Sequence, residues 1–442
     1  MHLRNINILQ VASELALKGM HMLLRPYDTR FKLHQKLQSP VLNERAANAY
    51  LPFQELESKE LLFDLLNTTG GSGIDCHGHI ERTTASVVYA LLYGHRLRNA
   101  SDPLLLTAHA VNHVFDEMVQ VGAHLVDSFP VLNILPRFLA PWKAKADQHW
   151  QAQRDLHVMN LESGLEEKGW NFTKHMQRAV DVQKIDMPVE ELAFNLGIIA
   201  NAALDGTTET MMWFLVACVT DDYDRSWIVK AQELLDNVVG HDRFPSFEDR
   251  PKLAYIDAIL DEVMRWRPAG AAGVPHFTKV ESTYEGHRIP SNSVVLPNFY
   301  SITREESVFG SNFDVERFVP ERWLDVKSGE LGLPTVGFGY GRRICPGRHV
   351  ARNSMWIAIA RILWAFDVKP GLTETGERMV VDSTKGTDGL VNKPFRFKAC
   401  FEPRGPWARD MIMKGGNTHD IDHIAMLDRI GADLAAKEAS RI

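Results

Sequence analysis

The sequence predicts a mainly α protein with a small β portion, and three observations carry that expectation. Apolar residues recur at helical spacing through most of the first two-thirds of the chain. Past Pro268 the texture changes: "GVPHFTKVESTYEGHRIPSNSVVLPNF" mixes β-branched residues with glycine and proline, which reads as short strands and turns. No linker, repeat or low-complexity tract divides the 442 residues, so one domain is expected over 1–442, with a charged tail over 404–442.

In chain order, helices are expected around Lys32 to Glu44, Phe53 to Asn67, Ile80 to Leu92, Leu106 to Val126, Trp142 to Glu166 and Pro188 to Val219. For the last of these, Asp186 offers a cap and Pro188 suits a first helical position. Glu190 and Glu191 favour the positive end of its dipole. Helices Trp227 to Val239 and Leu253 to Trp266 flank the turn-rich "GHDRFPSFEDRP". Another, Val350 to Ala365, follows "PTVGFGYGRRICPGRH"; a strand is expected near Phe395 to Phe401 and an amphipathic helix near Ile421 to Ala436. One helix is oddly built: "ALDGTTET" puts Gly206 and three threonines at the centre of the Pro188–Val219 segment, where glycine costs about 1 kcal/mol.

Composition narrows the function. A net charge of −7 with both signs interspersed leaves no footprint for nucleic acid. Four cysteines make no disulfide framework and fit a reducing compartment. The opening "MHLRNINILQVASELALKGM" offers neither a secretory core nor a membrane span, so as written the chain reads as cytoplasmic. "CHGH" at Cys76 to His79 lacks the two-plus-two spacing of a structural zinc site. Trp213 and Phe214 read as core.

"FGYGRRICPG", Phe338 to Gly347, is the most informative stretch. Cys345 stands at a helix N-terminus beside Arg342 and Arg343, all of which favour thiolate. A lone cysteine is most often simply buried, and neither a CxxC nor a convincing local histidine partner supports a redox or nucleophilic cysteine. The spacing F-x-x-G-x-R-x-C-x-G fits a haem-iron thiolate ligand with an arginine for a haem propionate.

On these residues the chain resembles the haem-thiolate monooxygenases, the cytochromes P-450, over roughly residues 25–401. The resemblance implies Cys345 as axial iron ligand, Arg343 as propionate partner, Phe338 as a shield near the sulfur, and Gly341 and Gly347 as turn glycines. "DEVMRWRP" and "FVPERW" supply Glu262, Arg265 and Arg322, which in the family form a buried network bracing the cysteine loop. "GVPHF" resembles the strand beside the haem, making His276 a propionate partner and Val274 a pocket wall. "ALDGTTET" resembles the distal helix, with Thr207 positioning dioxygen and guiding protons. The family's acid before that threonine is Gly206 here, and the nearest acids are Asp205 and Glu209, so proton delivery is assigned to Asp205, Glu209 or ordered water.

At the front, "RPYDTRFKLHQKLQ" resembles the W-R-x-x-R helix, but Phe31, Lys32 and Gln35 occupy its key positions. Propionate anchoring there falls to Lys32, His34 or Lys36. The family usually precedes this helix with a membrane anchor and a β-rich lobe; this chain has 24 residues before Arg25, so a shortened front with most of the lobe missing is expected. The motif wording is similar to fungal microsomal members.

The resemblance implies haem b, insertion of one oxygen atom from O2 into an apolar substrate in secondary metabolism, and electrons from NADPH through a flavoprotein reductase. It also implies a monomer, and an endoplasmic reticulum membrane setting if the front is incomplete. Two alternatives stay open: a non-hydroxylating haem-thiolate enzyme of the isomerase, dehydratase or peroxygenase type, and a non-catalytic haem-binding remnant.

Overall fold

The computed structural model describes residues 3–4, 11–120, 122–222, 224–310, 312–324, 332–418 and 420–439. After a wide helical turn, Val11–Ala16, come α1 (Thr29–Leu42), α2 (Glu44–Ala47), α3 (Leu51–Thr68), α4 (His77–Tyr93), α5 (Pro103–Val119) and α6 (Leu125–Ser128). The long helices α7 (Pro141–Glu166) and α9 (Val189–Val219) enclose α8 (Phe172–Val182), and α10 (Ser226–Val238) and α11 (Ala254–Trp266) follow. Single-turn helices α12 (Phe299–Ile302) and α13 (Glu306–Phe309) precede α14 (Arg348–Ala365), α15 (Pro406–Gly415) and α16 (His423–Ala439).

The strands are few and all antiparallel. β1 (Leu3–Arg4), β2 (His276–Thr278) and β5 (Val294–Val295) form one sheet in the order β1-β2-β5. β3 (Ser282–Tyr284) pairs with β4 (His287–Ile289). β6 (Phe366–Pro370) pairs with β7 (Ala399–Pro403), directly continuing α14. The last strand thus lies a few residues beyond its expected start, because pairing with the buried Phe366, Val368 and Pro370 sets its register.

Helix α9 runs through the middle of the molecule and packs on α4, α7, α11 and α14. Its first half, including Leu192, Leu196 and Leu204, joins α4 and α8 in one apolar core. Its second half, Met211 to Val219 with Trp213 and Phe214, joins α11 and α14 in another. A third, smaller core ties Val11 to Leu24 to α5, α7 and Phe194. The start of α9 differs from expectation: Pro188 is the residue ahead of the first turn, and the backbone carbonyl of Asp186 accepts from Arg30. Glu191 in that turn pairs with Arg30 and His34.

Helix α8 had no sequence expectation. Asn171 caps it by accepting from the Lys174 N–H at 2.9 Å, and Phe172, Met176 and Val180 bury one stripe four residues apart. Among the described residues no helix is long and apolar enough to cross a membrane.

Candidate active site

Cys345 stands between the tight turn Gly341–Arg343 and the first turn of α14. Gly341 has φ +66°, a left-handed conformation that side chains resist, and it lets the loop fold back. The Cys345 N–H donates to the Phe338 carbonyl at 2.9 Å and closes the loop. Phe338 itself packs against the core that contains Met264, Trp266 and Trp356.

Burial pushes the Cys345 thiol up, while the N–H groups of Gly347 and Arg348 and the Arg348 charge pull it down. The cation beside the sulfur is therefore Arg348, rather than Arg342 or Arg343. Gly347 has φ −81°, open to any residue, and a Cβ there would lie 4.0 Å from the sulfur. It leaves one flank of the sulfur bare; the turn does not require it.

Arg343 points the other way. Its guanidinium donates to the carbonyls of Met22 (3.3 Å) and Arg25 (2.7 Å) and lies 3.9 Å over the Phe31 ring. Burial pulls its pKa down to about 10. His276 on β2 is likewise pulled down, first by burial and then by the Arg343 charge, which places the two groups within electrostatic reach. The Tyr27 ring lies under Arg342 (4.9 Å) and Lys32 (5.5 Å).

A half-buried guanidinium bonded to neutral carbonyls, beside a histidine and a lysine, suits ligand carboxylates such as haem propionates. With a cysteine at a helix N-terminus next to it, these residues fit a thiolate-ligated haem. His34 and Lys36 do not join this cradle: His34 is fully buried against Glu191 at 2.6 Å, and Lys36 donates to Gln183.

The distal-helix residues divide by face. Thr208 is fully buried and shares a hydrogen bond with Thr84 at 2.7 Å, and Thr210 donates to the Gly206 carbonyl at 2.8 Å. Carbonyl capture within α9 thus belongs to Thr210. No hydrogen bond engages the Thr207 hydroxyl among the described residues. Thr207 borders a cavity of about 10 Å³, room for one water, whose walls include Gln54, Ser58, Thr83, Thr84 and Ser354. Gln54 Oε1 has no hydrogen-bond partner there. A Cβ at Gly206 would meet open space.

The two acids point elsewhere. Asp205 and Glu209, four residues apart, share a face about 200° around the helix from Thr207. Asp205 pairs with Lys393 at 2.6 Å, and Glu209 pairs with His77 at 3.0 Å. Asp116 on α5 approaches the same charges and is pushed up to about 6 by burial and Asp205. His77 of "CHGH" is therefore engaged in a hydrogen bond with Glu209, and no metal-holding cluster exists among the described residues.

Glu262, Arg265 and Arg322 come together in the interior, each nearly or fully buried. Arg265 grips both Glu262 oxygens at 2.8 Å, and the Val319 N–H and the Trp323 indole donate to them at 2.8 and 2.9 Å. The Arg322 Nε lies 3.5 Å from Glu262, while its other nitrogens reach the carbonyls of Phe309, Phe313 and Asp314.

The family model described as Cytochrome P450 matches residues 7–401. The chain belongs to the cytochrome P450 family. Cytochrome P450 monooxygenase aneD of Aspergillus aculeatus is 36% identical over 96% of this chain and 80% of its own length. Cytochrome P450 monooxygenase FrzL of a Cladobotryum species is 35% identical over 94% of this chain and 77% of its own. A zebra fish cytochrome P450 solved with progesterone superimposes with a TM-score of 0.71 over 89% of this chain and 87% of that one. At 22% identity that likeness speaks to the fold. The chain is thus a cytochrome P450 monooxygenase, similar to fungal members, and the family implies a haem with thiolate-ligated iron, O2 and a redox partner.

Sequence reasoning missed Lys393 and Asp116, because their importance lies in packing against α9 from distant elements. It also missed His21, His149, Gln153 and His157. Three of these fall four residues apart in "HWQAQRDLH", a signal that was present.

Proposed function

We propose that this P450 inserts one oxygen atom from O2 into an apolar organic molecule in fungal secondary metabolism, as a monomeric single haem domain over residues 1–442. Its cofactor is haem b, and NADPH supplies two electrons through a flavoprotein reductase. Dioxygen activation is the chemistry that the haem, when bound, contributes. The remaining tasks fall to the chain. Cys345 is the thiolate ligand, favoured by the N–H groups at the start of α14. Arg343 and His276 hold propionate, Phe338 packs near the sulfur, Gly341 shapes the loop and Gly347 leaves room beside the sulfur. Glu262, Arg265 and Arg322 brace the segment that leads into it.

Thr207 positions dioxygen and passes protons through its hydroxyl. Lys393 and His77 hold Asp205 and Glu209 on the opposite face, so the proton travels by water in the small cavity that Thr207 shares with Ser58, Thr83, Thr84 and Ser354. The observation that carries this reading is the unbonded Thr207 hydroxyl opening onto that cavity.

The test is turnover with O2, NADPH and reductase against turnover with hydrogen peroxide alone; the first is expected. Gly206 at the usual acid position favours one second reading, a peroxide-using enzyme, and turnover restricted to peroxide would establish it.

An endoplasmic reticulum setting is proposed from the family resemblance. Leu125, Phe129, Val131, Ile134, Phe138 and Leu139, each more than half exposed in one short stretch, support contact with a membrane surface.

A further inference from the structure

We propose that Asp116 and Asn112 on α5 bind a cationic N–H group of the substrate at the open face of α9, so the preferred substrate is an apolar frame carrying one basic nitrogen. This deepens the monooxygenase reading above and rests on it.

The opening is visible in the burial of α9. The helix is buried from Glu191 to Gly197 and again from Thr207 to Val219. Between them Ala202 is exposed, and Ala203, Asp205 and Gly206 are half-buried. A Cβ at Gly206 would meet nothing within 4 Å. Because α9 runs through the middle of the molecule, an exposed alanine at its centre marks open space beside the helix. At about 100° per residue the open arc runs from Asp205 through Ala202 and Gly206 to Ala203. Thr207 lies just beyond Ala203 at the far edge. A molecule lying across the arc therefore has one end at Asp205 and the other at Thr207, about one helix diameter, or 10 Å, away.

Two rungs cross from α5 to α9 at this opening. Asn112 and Asp116 are one turn apart on α5, as Asn201 and Asp205 are on α9. Asn112 Nδ2 donates to the Asn201 carbonyl at 3.2 Å, which turns its side chain toward the residue before Ala202. The Asp116 carboxyl feels the Asp205 charge.

The second rung is incompletely matched. Asp205 has Lys393 at 2.6 Å, and both side chains keep surface of their own, 15% and 34% exposed. Asp116 is half-buried and makes no hydrogen bond or ion pair among the described residues. Asn112 is 6% exposed, and its Oδ1 has no hydrogen-bond partner among them either. Buried polar atoms are almost always satisfied, by protein or by something bound. Both unmatched groups are acceptors, and they lie one turn apart on the same face. A cationic N–H group supplies the donors that both lack and the charge that Asp116 lacks.

Burial and the Asp205 charge push Asp116 up to about 6, against Lys393 and His113. From α7, Lys145 is paired with Glu117 instead. At pH 7.5 the Asp116 carboxyl is ionised. At pH 5 about one molecule in ten is, so affinity for a cation falls about tenfold.

The test uses the haem-loaded full chain and two probes of one shape: 4-butylbenzamidine, which is cationic, and 4-butylbenzamide, which is neutral. Calorimetric titration at pH 7.5 is expected to show the amidine binding at least tenfold tighter, and the margin is expected to shrink about tenfold at pH 5. Asp116→Asn is expected to bind the amidine no tighter than the amide at either pH. Asp116→Glu, which keeps the charge, is expected to retain part of the margin. Asn112→Leu is expected to weaken both probes, since each offers an N–H to its carbonyl.

Equal binding of the two probes by the wild type would overturn the subsite, as would a margin that survives Asp116→Asn or stays constant between pH 7.5 and 5. An Asn112→Leu chain that holds both probes as tightly as the wild type would overturn it too. A chain that shows the cation preference yet turns over nothing with O2, NADPH and reductase would sink the monooxygenase reading and leave the subsite standing.

Discussion

Thr207 and Thr208 are adjacent and chemically identical, yet their surroundings give them different work. Thr208 is buried and bonded to Thr84; the Thr207 hydroxyl is unbonded and Thr207 borders a small cavity of mixed polar and apolar lining. Thr207→Val is expected to leave folding and haem content intact while lowering product formed per NADPH consumed. Thr208→Val should cost about 1 kcal/mol of stability through the lost hydrogen bond. Coupling ratios and denaturant midpoints for the pair separate the roles, and equal effects in both assays would contradict them. Asp116 supplies a second residue-scale expectation. Burial and the Asp205 charge push it up to about 6, against Lys393 and His113. Its folded-state value thus lies above that of the unfolded chain. The extra proton stabilises the fold at low pH, and that contribution is lost as pH rises from about 4 through about 6. Asp116→Asn is expected to raise the thermal midpoint at neutral pH, with the gain vanishing near pH 4. At this scale the sequence was most readable where chemistry demands a fixed spacing, as around Cys345, and least where a role depends on a partner far along the chain, as for Asp205 with Lys393.

At the scale of elements, α9 explains the odd centre of "ALDGTTET". One face carries Ala203 and Thr207, another the engaged pair Asp205 and Glu209, and Gly206 looks onto open space. Helix existence was legible from apolar spacing for α3, α4, α7, α9, α10, α11 and α14. Helix α8 was overlooked although its cap and its stripe of Phe172, Met176 and Val180 are local signals. The polar stripe on α7 was passed over for another reason: histidines and glutamine four apart usually mark a solvated face, and only the packing of α5, α9 and the Val11–Leu24 segment buries it. The brace between α11 and the Pro320–Trp323 turn yields a direct test. Glu262→Ala leaves Arg265 and Arg322 buried without their carboxylate, a loss of about 3–5 kcal/mol for a broken buried pair. Unfolding midpoints should fall accordingly; a change under 1 kcal/mol would show that the network is dispensable.

For the whole molecule, topology follows from one long central helix, α9, against which α4, α7, α11 and α14 pack. α14 brings Cys345 to one side of the core, α9 lays Thr207 against α3, α4 and α14, and β2 carries His276 toward Arg343. The fold class and its small sheets were readable because helical and strand periods change visibly at Pro268. The front of the chain was not, since the cover it forms with α5 and α7 rests on contacts more than a hundred residues apart, such as the Val11 N–H on Asp127. Every functional assignment converges on a haem held by one sulfur. The most direct measurement is the ferrous carbon-monoxide spectrum of the haem-loaded chain beside Cys345→Ser. The wild type is expected to show the thiolate-type band and the variant to lose it. A wild type that binds haem without that band, or a variant that keeps it, would contradict the assignment of Cys345.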